Sequence, residues 1–243
     1  MTCEPIAFMW TRPQGGRRSS ASGFTLLEIL VAMSIFAIVT ALIFGSFEGV
    51  FSNAEHVTQS SAIYEMADTC LGRITTDLTA IHVMQTPRYK KPDIDSEPDI
   101  FRVVAKNETM GGNTFTHIRF TSQAHLPTSG QFSEGIAEIV YYAQEEGGEG
   151  YVLRRADHLY PYPEDFKPAE TDPILCEKVL SFKLLFFDKE GREQEEWDSE
   201  DDDYEYSTPA AVKVTLKIGE EESPYEFSVM ISLPMHRFIE PKR

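Results

Sequence analysis

The residue most out of place in this 243-residue chain is Glu28, the single charged side chain between Phe24 and Phe47. After it the run ILVAMSIFAIVTALIFGSF carries no charge at all over 29–47. An acid at the centre of such a helix costs roughly 2.5–3.5 kcal/mol on insertion scales and less near an end, so an intramembrane carboxylate is read as functional. Other chemistry-bearing residues offer less. His56, His82, His117, His125, His158 and His236 have no metal-ligand spacing, and the chain contains no GxSxG, Walker loop or GxGxxG. No catalytic, cofactor-binding or metal-ligating residue is assigned, and the chain reads as a non-enzyme. Cys3, Cys70 and Cys176 lack CxxC spacing, which argues against zinc and against a dense disulfide framework. Eleven carboxylates crowd 188–205 against Lys189 and Arg192. Calcium takes six to eight oxygens, but this stretch lacks EF-hand spacing and a central glycine, so it reads as a solvated hairpin tip. Trp197 inside that run is the exception: an exposed aromatic flanked by charge is a candidate partner contact.

The elements that position Glu28 follow from the hydropathy pattern. Residues 24–47 are long enough to cross a bilayer as one helix. The 23 residues before them carry Arg12, Arg17 and Arg18 against Glu4, whereas the first charges after them are Glu48 and Glu55. Positive charge stays on the cytoplasmic side, so the N-terminus is expected inside and the large domain outside, in a periplasm. A cleaved secretory signal has the same order of regions, but its apolar stretch is shorter and has no use for an acid. The chain as a whole is acidic, with a formal net charge of −17. Phosphate binding needs a basic surface, so nucleic acid is not expected as a partner.

Beyond the membrane, Ile63, Ala67, Cys70, Leu71, Ile74, Leu78 and Ile81 recur at spacings of three and four, one apolar stripe with Glu65, Asp68, Arg73 and Asp77 between. No proline interrupts 24–86, so the helix is expected from Phe24 to about Met84, with a periplasmic continuation over 48–86. Seven strands are expected over 87–243: 100–105, 115–121, 136–143, 151–155, 179–188, 211–218 and 225–233. Val212, Val214, Leu216 and Ile218 alternate with Lys213, Thr215 and Lys217, as an antiparallel strand with one buried face does. The fold class is α+β: a long N-terminal helix, membrane-spanning in its first half, packed on antiparallel sheet. Cys70 on the helical stripe and Cys176 before a strand either bridge in an oxidising compartment or stand as two buried thiols.

The N-terminal segment Arg17-Arg18-Ser-Ser-Ala-Ser-Gly23-Phe24-Thr25-Leu26-Leu27-Glu28, followed by the apolar helix, resembles the signal of type IV prepilins and type II secretion pseudopilins. The resemblance implies a leader over 1–23, cleavage between Gly23 and Phe24 by a membrane prepilin peptidase, and methylation of the new Phe24 amine. It also implies that Glu28 serves assembly, facing the amine of a neighbouring subunit. Landmarks further on narrow the likeness: Arg73-Ile-Thr-Thr-Asp77-Leu, Tyr141-Tyr142, Tyr151-Val-Leu-Arg154-Arg155, 180–188, Trp197 and 208–216. They resemble the J-type minor pseudopilin of the type II secretion system, with a departure at Ala210, where that family often has arginine. The implied fold is the pseudopilin fold. The implied location is the bacterial inner membrane, single pass. The implied role lies in the pseudopilus tip or initiation complex for protein export across the outer membrane. The implied partners are the I-, K- and H-type minor pseudopilins, the major pseudopilin and membrane lipid, with no cofactor. A W-type minor type IV pilin and a membrane-anchored periplasmic binding module are the competing readings.

Overall fold

The structure is a computed structural model that describes residues 23–93, 97–127, 134–147 and 150–239, without the side chains of 48–59. The leader's Arg12, Arg17 and Arg18, and Cys3, lie outside the described residues. The chain divides into two compact units, Met1–His56 and Val57–Arg243. One helix, α1 (Leu26–Thr79), begins in the first and ends in the second.

In the second unit the apolar stripe of α1 is buried as its spacing predicts: Ala67, Cys70, Ile74 and Leu78 are each at most 2% exposed. They join one core with Ile118, Phe120, Ile139, Leu153, Phe182, Val214 and Leu216 from the sheet. The strands are β1 (Val104–Met110), β2 (Asn113–Ser122), β3 (Ala137–Glu145), β4 (Tyr151–Leu159), β5 (Ile174–Phe187), β6 (Glu193–Gln194), β7 (Trp197–Asp198), β8 (Ala211–Glu220) and β9 (Ser223–Ser232). They form a single sheet in the order β7-β1-β2-β3-β4-β5-β8-β9, with β6 paired to β5. Every pairing is antiparallel except one parallel contact of β2 with β5 at Phe115 and Phe182. That contact closes β2 to β5 on themselves and curls the sheet around the core. The alternation in β8 comes out as expected: Val212, Val214, Leu216 and Ile218 are buried, and Lys217 pairs with Glu226 of β9 outside, at 3.1 Å. The β1–β2 hairpin turns on Gly111 and Gly112, both at positive φ. This tight turn needs left-handed residues that glycine supplies without strain.

Several boundaries differ from expectation. Each expected strand overlaps an observed one, but β1 lies at Val104–Met110 against an expected 100–105, β4 runs on to Leu159, and β5 starts five residues early; β6 and β7, not expected, are too short to show a period. The helix stops at Thr79, not near 84, so the continuation over 48–86 is helical only to that point. The reason is non-local. Ile81 bridges Ser122 at the end of β2, the His82 N–H donates to the Thr121 carbonyl at 2.8 Å, and the Gln123 N–H donates to that of Ala80 at 2.9 Å. Ser122 Oγ also donates to the Asp77 carbonyl at 2.8 Å. The sheet therefore satisfies the carbonyls that a helix end leaves orphaned, and captures the chain before Pro87 can stop it.

Candidate processing and assembly site

The described chain begins at Gly23, where space for a side chain is open: nothing lies within 4 Å of where a Cβ would stand. Phe24 follows, 81% exposed. Thr25 then caps α1. The Glu28 N–H donates to Thr25 Oγ1 at 3.2 Å, while the Thr25 N–H and hydroxyl both donate to Glu28 Oε2 at 3.3 Å. Threonine at the cap and glutamate three residues on form a reciprocal capping box, which satisfies two donors that a helix start leaves unpaired. The Glu28 carboxylate also sits against the positive end of the helix dipole. The TxxE spacing was readable in Thr25-Leu-Leu-Glu28.

From Leu26 to Phe47 the helix offers 22 residues of mean hydropathy 2.6, none of them buried among the described residues, and is long and apolar enough to cross a membrane. Its polar side chains close on the helix itself. Ser34 Oγ donates to the Leu30 carbonyl at 2.9 Å and Thr40 Oγ1 to that of Phe36 at 2.7 Å. An unpaired hydroxyl would be costly in hydrocarbon, and these two are satisfied within the helix.

The second unit brings the later sequence landmarks together. Asp77, wholly buried on α1, accepts from Arg155 Nε of β4 at 2.6 Å, from the Tyr141 hydroxyl of β3 at 2.5 Å, and from Arg73 one turn earlier. Arg155 Nη1 continues to Asp157 at 2.6 Å, which also binds His125 Nδ1 at 2.6 Å and accepts from the Leu126 N–H at 2.8 Å. Burial, reinforced by the Asp77 charge and hydrogen bond, pushes the Tyr141 hydroxyl well above its ordinary range. Burial pushes Asp157 upward too, but its bonds from Leu126, His125 and Arg155 prevail and hold its carboxyl below the usual range. Arg73, Asp77, Tyr141 and Arg155 were legible only as separate landmarks; the fold makes them one clamp between helix and sheet. A second clamp uses Arg237, whose side chain is fully buried. It pairs with Asp99 at 3.0 Å and Glu200 at 2.8 Å and stacks at 3.4 Å over the Tyr89 ring. No signal in the sequence marked Arg237, because its partners lie 37 residues and more away along the chain.

Trp197 corrects an expectation. It is 2% exposed, so it is no surface anchor. Its ring packs on Phe186 and Tyr204, and its indole N–H donates to the Ser207 carbonyl at 2.9 Å. As the first residue of β7 it points inward, and the acidic neighbours Glu195 and Glu196 stay outside. The rest of 188–205 is mostly solvated, apart from Ser199 and Glu200, which turn inward beside Arg237. Among the described residues no group of three or more His, Cys, Asp or Glu is gathered as for a metal ion. Cys70 and Cys176 are buried and free.

A capped apolar helix of spanning length, preceded by an open glycine and followed by a helix-clamped antiparallel sheet, defines the pilin-like class of membrane-helix subunits. The prokaryotic N-terminal methylation motif matches residues 18–44, and the type II secretion system protein J family matches residues 45–229. The chain belongs to the type II secretion system protein J family and is a J-type pseudopilin carrying a prepilin signal. No curated protein matches it.

Proposed function

We propose that the chain is cut between Gly23 and Phe24 by a prepilin peptidase, methylated on the Phe24 amine, and held in the inner membrane by Leu26–Phe47. The domain beyond the span then lies in the periplasm. From there it enters the tip or initiation complex of the pseudopilus with the I-, K- and H-type minor pseudopilins and the major pseudopilin. Its role is structural. The observation that carries the reading is the junction at 23–28: an unobstructed glycine, an exposed phenylalanine, and an acid at the first turn of an apolar helix that nothing among the described residues covers. A protease must approach the Gly23 carbonyl closely, and the absence of a side chain there permits it. The bare helix surface must be covered by lipid or by other helices. Ala37, Ala41 and Gly45, four residues apart, let a second backbone come near.

Glu28 then has two duties at once: it caps its own helix, and it offers a carboxylate to the cationic amine of a neighbour. In a low-dielectric helix bundle such a pair sets register, because a mismatched charge is expensive. The two duties separate chemically. Glutamine also completes a capping box but carries no charge. The primary test is intact mass and N-terminal sequencing of protein extracted from native membranes, for which N-methyl-Phe24 is expected and an intact Met1 would overturn the processing. The second test is co-purification of the other pseudopilins with Glu28→Gln. Loss of the partners, with processing and helix content retained, supports charge pairing; partner recovery equal to wild type sinks the register role and leaves the cap alone.

A further inference from the structure

We infer that Cys70 and Cys176 form a disulfide in the mature protein, covalently stapling α1 to β5. The inference rests on the reading above that the second unit is exported, because that places both thiols in an oxidising compartment.

The geometry assembles the pair from both sides. Cys70 is 0% exposed on the buried stripe of α1, and Cys176 is 1% exposed near the start of β5; both lie in the same core. The Glu177 N–H donates to Met66 Sδ at 3.4 Å, so the residue after Cys176 is tied to the turn of α1 just before Cys70. The neighbouring Cys176 side chain, together with burial, pushes the Cys70 thiol upward. Local backbone irregularity is already present: the β4–β5 register shifts beside Leu153, which pairs with Cys176, and Lys178 takes a left-handed φ of 51°.

In the folded dithiol both sulfurs are shut in the core and the Cys70 thiolate is disfavoured, so exchange with an outside disulfide requires the core to be open. The bond therefore forms as the exported chain folds. An exocytoplasmic protein disulfide is the acceptor. Attack by one cysteine thiolate gives a mixed disulfide, and the second cysteine displaces it. The new S–S bond thus costs the chain two protons and two electrons, and the acceptor leaves as a dithiol. The consequence is mechanical. β5 pairs with β4, β6 and β8 and touches β2, so it has more strand neighbours than any other strand described. A cross-link there carries load applied along α1 into the centre of the sheet, and it closes the chain from α1 through β4 into one covalent loop.

The test uses the processed chain, which has lost Cys3 with its leader, extracted from native-host membranes, with free thiols blocked at lysis and the protein then denatured. No thiol should be labelled before reduction and two after it, with the oxidised protein lighter by two hydrogens. Reduction of the purified protein should lower its melting temperature by roughly 10 °C. Cys70→Ala/Cys176→Ala should melt at one temperature with or without reductant. Reduced protein refolded in a glutathione redox buffer separates the two ways of failing. Free thiols from cells with a bond formed on refolding would overturn the exported location and, with it, the cross-link in the cell. Free thiols in both would overturn the pairing itself and leave the export reading standing.

Discussion

The two ends of α1 solve opposite problems with the same backbone. Over Leu26–Phe47 every large apolar side chain stays exposed, and each recorded polar bond is local: Thr25 with Glu28, Ser34 with Leu30, Thr40 with Phe36. Over 67–78 the apolar stripe is buried, and the polar groups reach across to the sheet: Asp77 to Tyr141 and Arg155, and Arg73 to the Ala124 carbonyl. A helix segment whose partners lie outside the chain must be polar-complete in itself. One whose partner is its own sheet can leave a carboxylate to be met on folding. Asp77 and Glu28 are both acids on apolar stretches of helix, and they differ in what meets them: the sheet for Asp77, and within the chain only the neighbouring Thr25 for Glu28, the residue proposed to serve assembly.

The sharpest break in that comparison is Asp77→Ala. It leaves Arg155 and Tyr141 buried without their acceptor, and removal of one partner from a buried pair costs about 3–5 kcal/mol. The denaturation midpoint of the second unit should fall accordingly, whereas Glu28→Ala should leave that midpoint within about 0.5 kcal/mol of wild type, as substitutions away from packed sites do. Equal losses in the two variants would erase the distinction. The apolar positions repeat it more gently. Ile74→Ala opens a cavity in the core and should cost about 2–5 kcal/mol, while Ile38→Ala, 61% exposed, should not move the same transition.

The clamp also has an alkaline signature. Tyr141 is raised by burial and by Asp77, so the folded state holds its proton where the unfolded chain has begun to release it. Its contribution is complete below the unfolded tyrosine value of about 10 and is lost as pH rises from there toward the folded value. Asp157 works in the opposite sense. Its folded value is depressed, so its contribution is present above the ordinary carboxylate range and is lost as pH falls through the folded value. Tyr141→Phe should cost about 1–3 kcal/mol at neutral pH through the lost hydrogen bond to Asp77. It should also flatten the decline above pH 10 by up to about 1.4 kcal/mol per pH unit. Urea titrations at pH 7, 9 and 10.5 measure both, and an unchanged alkaline slope would remove Tyr141 from the linkage.

What the sequence made legible follows the range of the interactions. The apolar span, the helical stripe and the alternation of β8 depend on neighbours within a few residues, and all stand in the structure. The helix end did not, because Ser122 and Thr121, bonded across 45 and 39 residues of chain, capture it. Trp197 was misjudged because its charged neighbours suggested exposure, while a two-residue strand is too short to show which face turns inward. Asp77 sat in plain view among the polar residues of the stripe, but its buried role depends on Arg155 and Tyr141, which only the sheet register delivers. At Glu28 the interaction within reach is the local one, the capping box with Thr25 three residues before it.

That last point yields the smallest and most local effect. Thr25→Ala removes the hydroxyl that accepts from the Glu28 N–H, and loss of a threonine cap costs a helix about 1 kcal/mol. The first turn should therefore open more often: amide exchange at Glu28 in detergent-solubilised protein should quicken roughly fivefold. Exchange at Ile74 should not change, because the packed half is held by the sheet and not by its distant cap. If Glu28 exchange is unaltered, the cap is not what orders the start of the helix, and the carboxylate is already engaged elsewhere. If exchange at Ile74 also quickens, the two halves of α1 are energetically coupled, and a local partner at one end would have to be counted in the stability of the other.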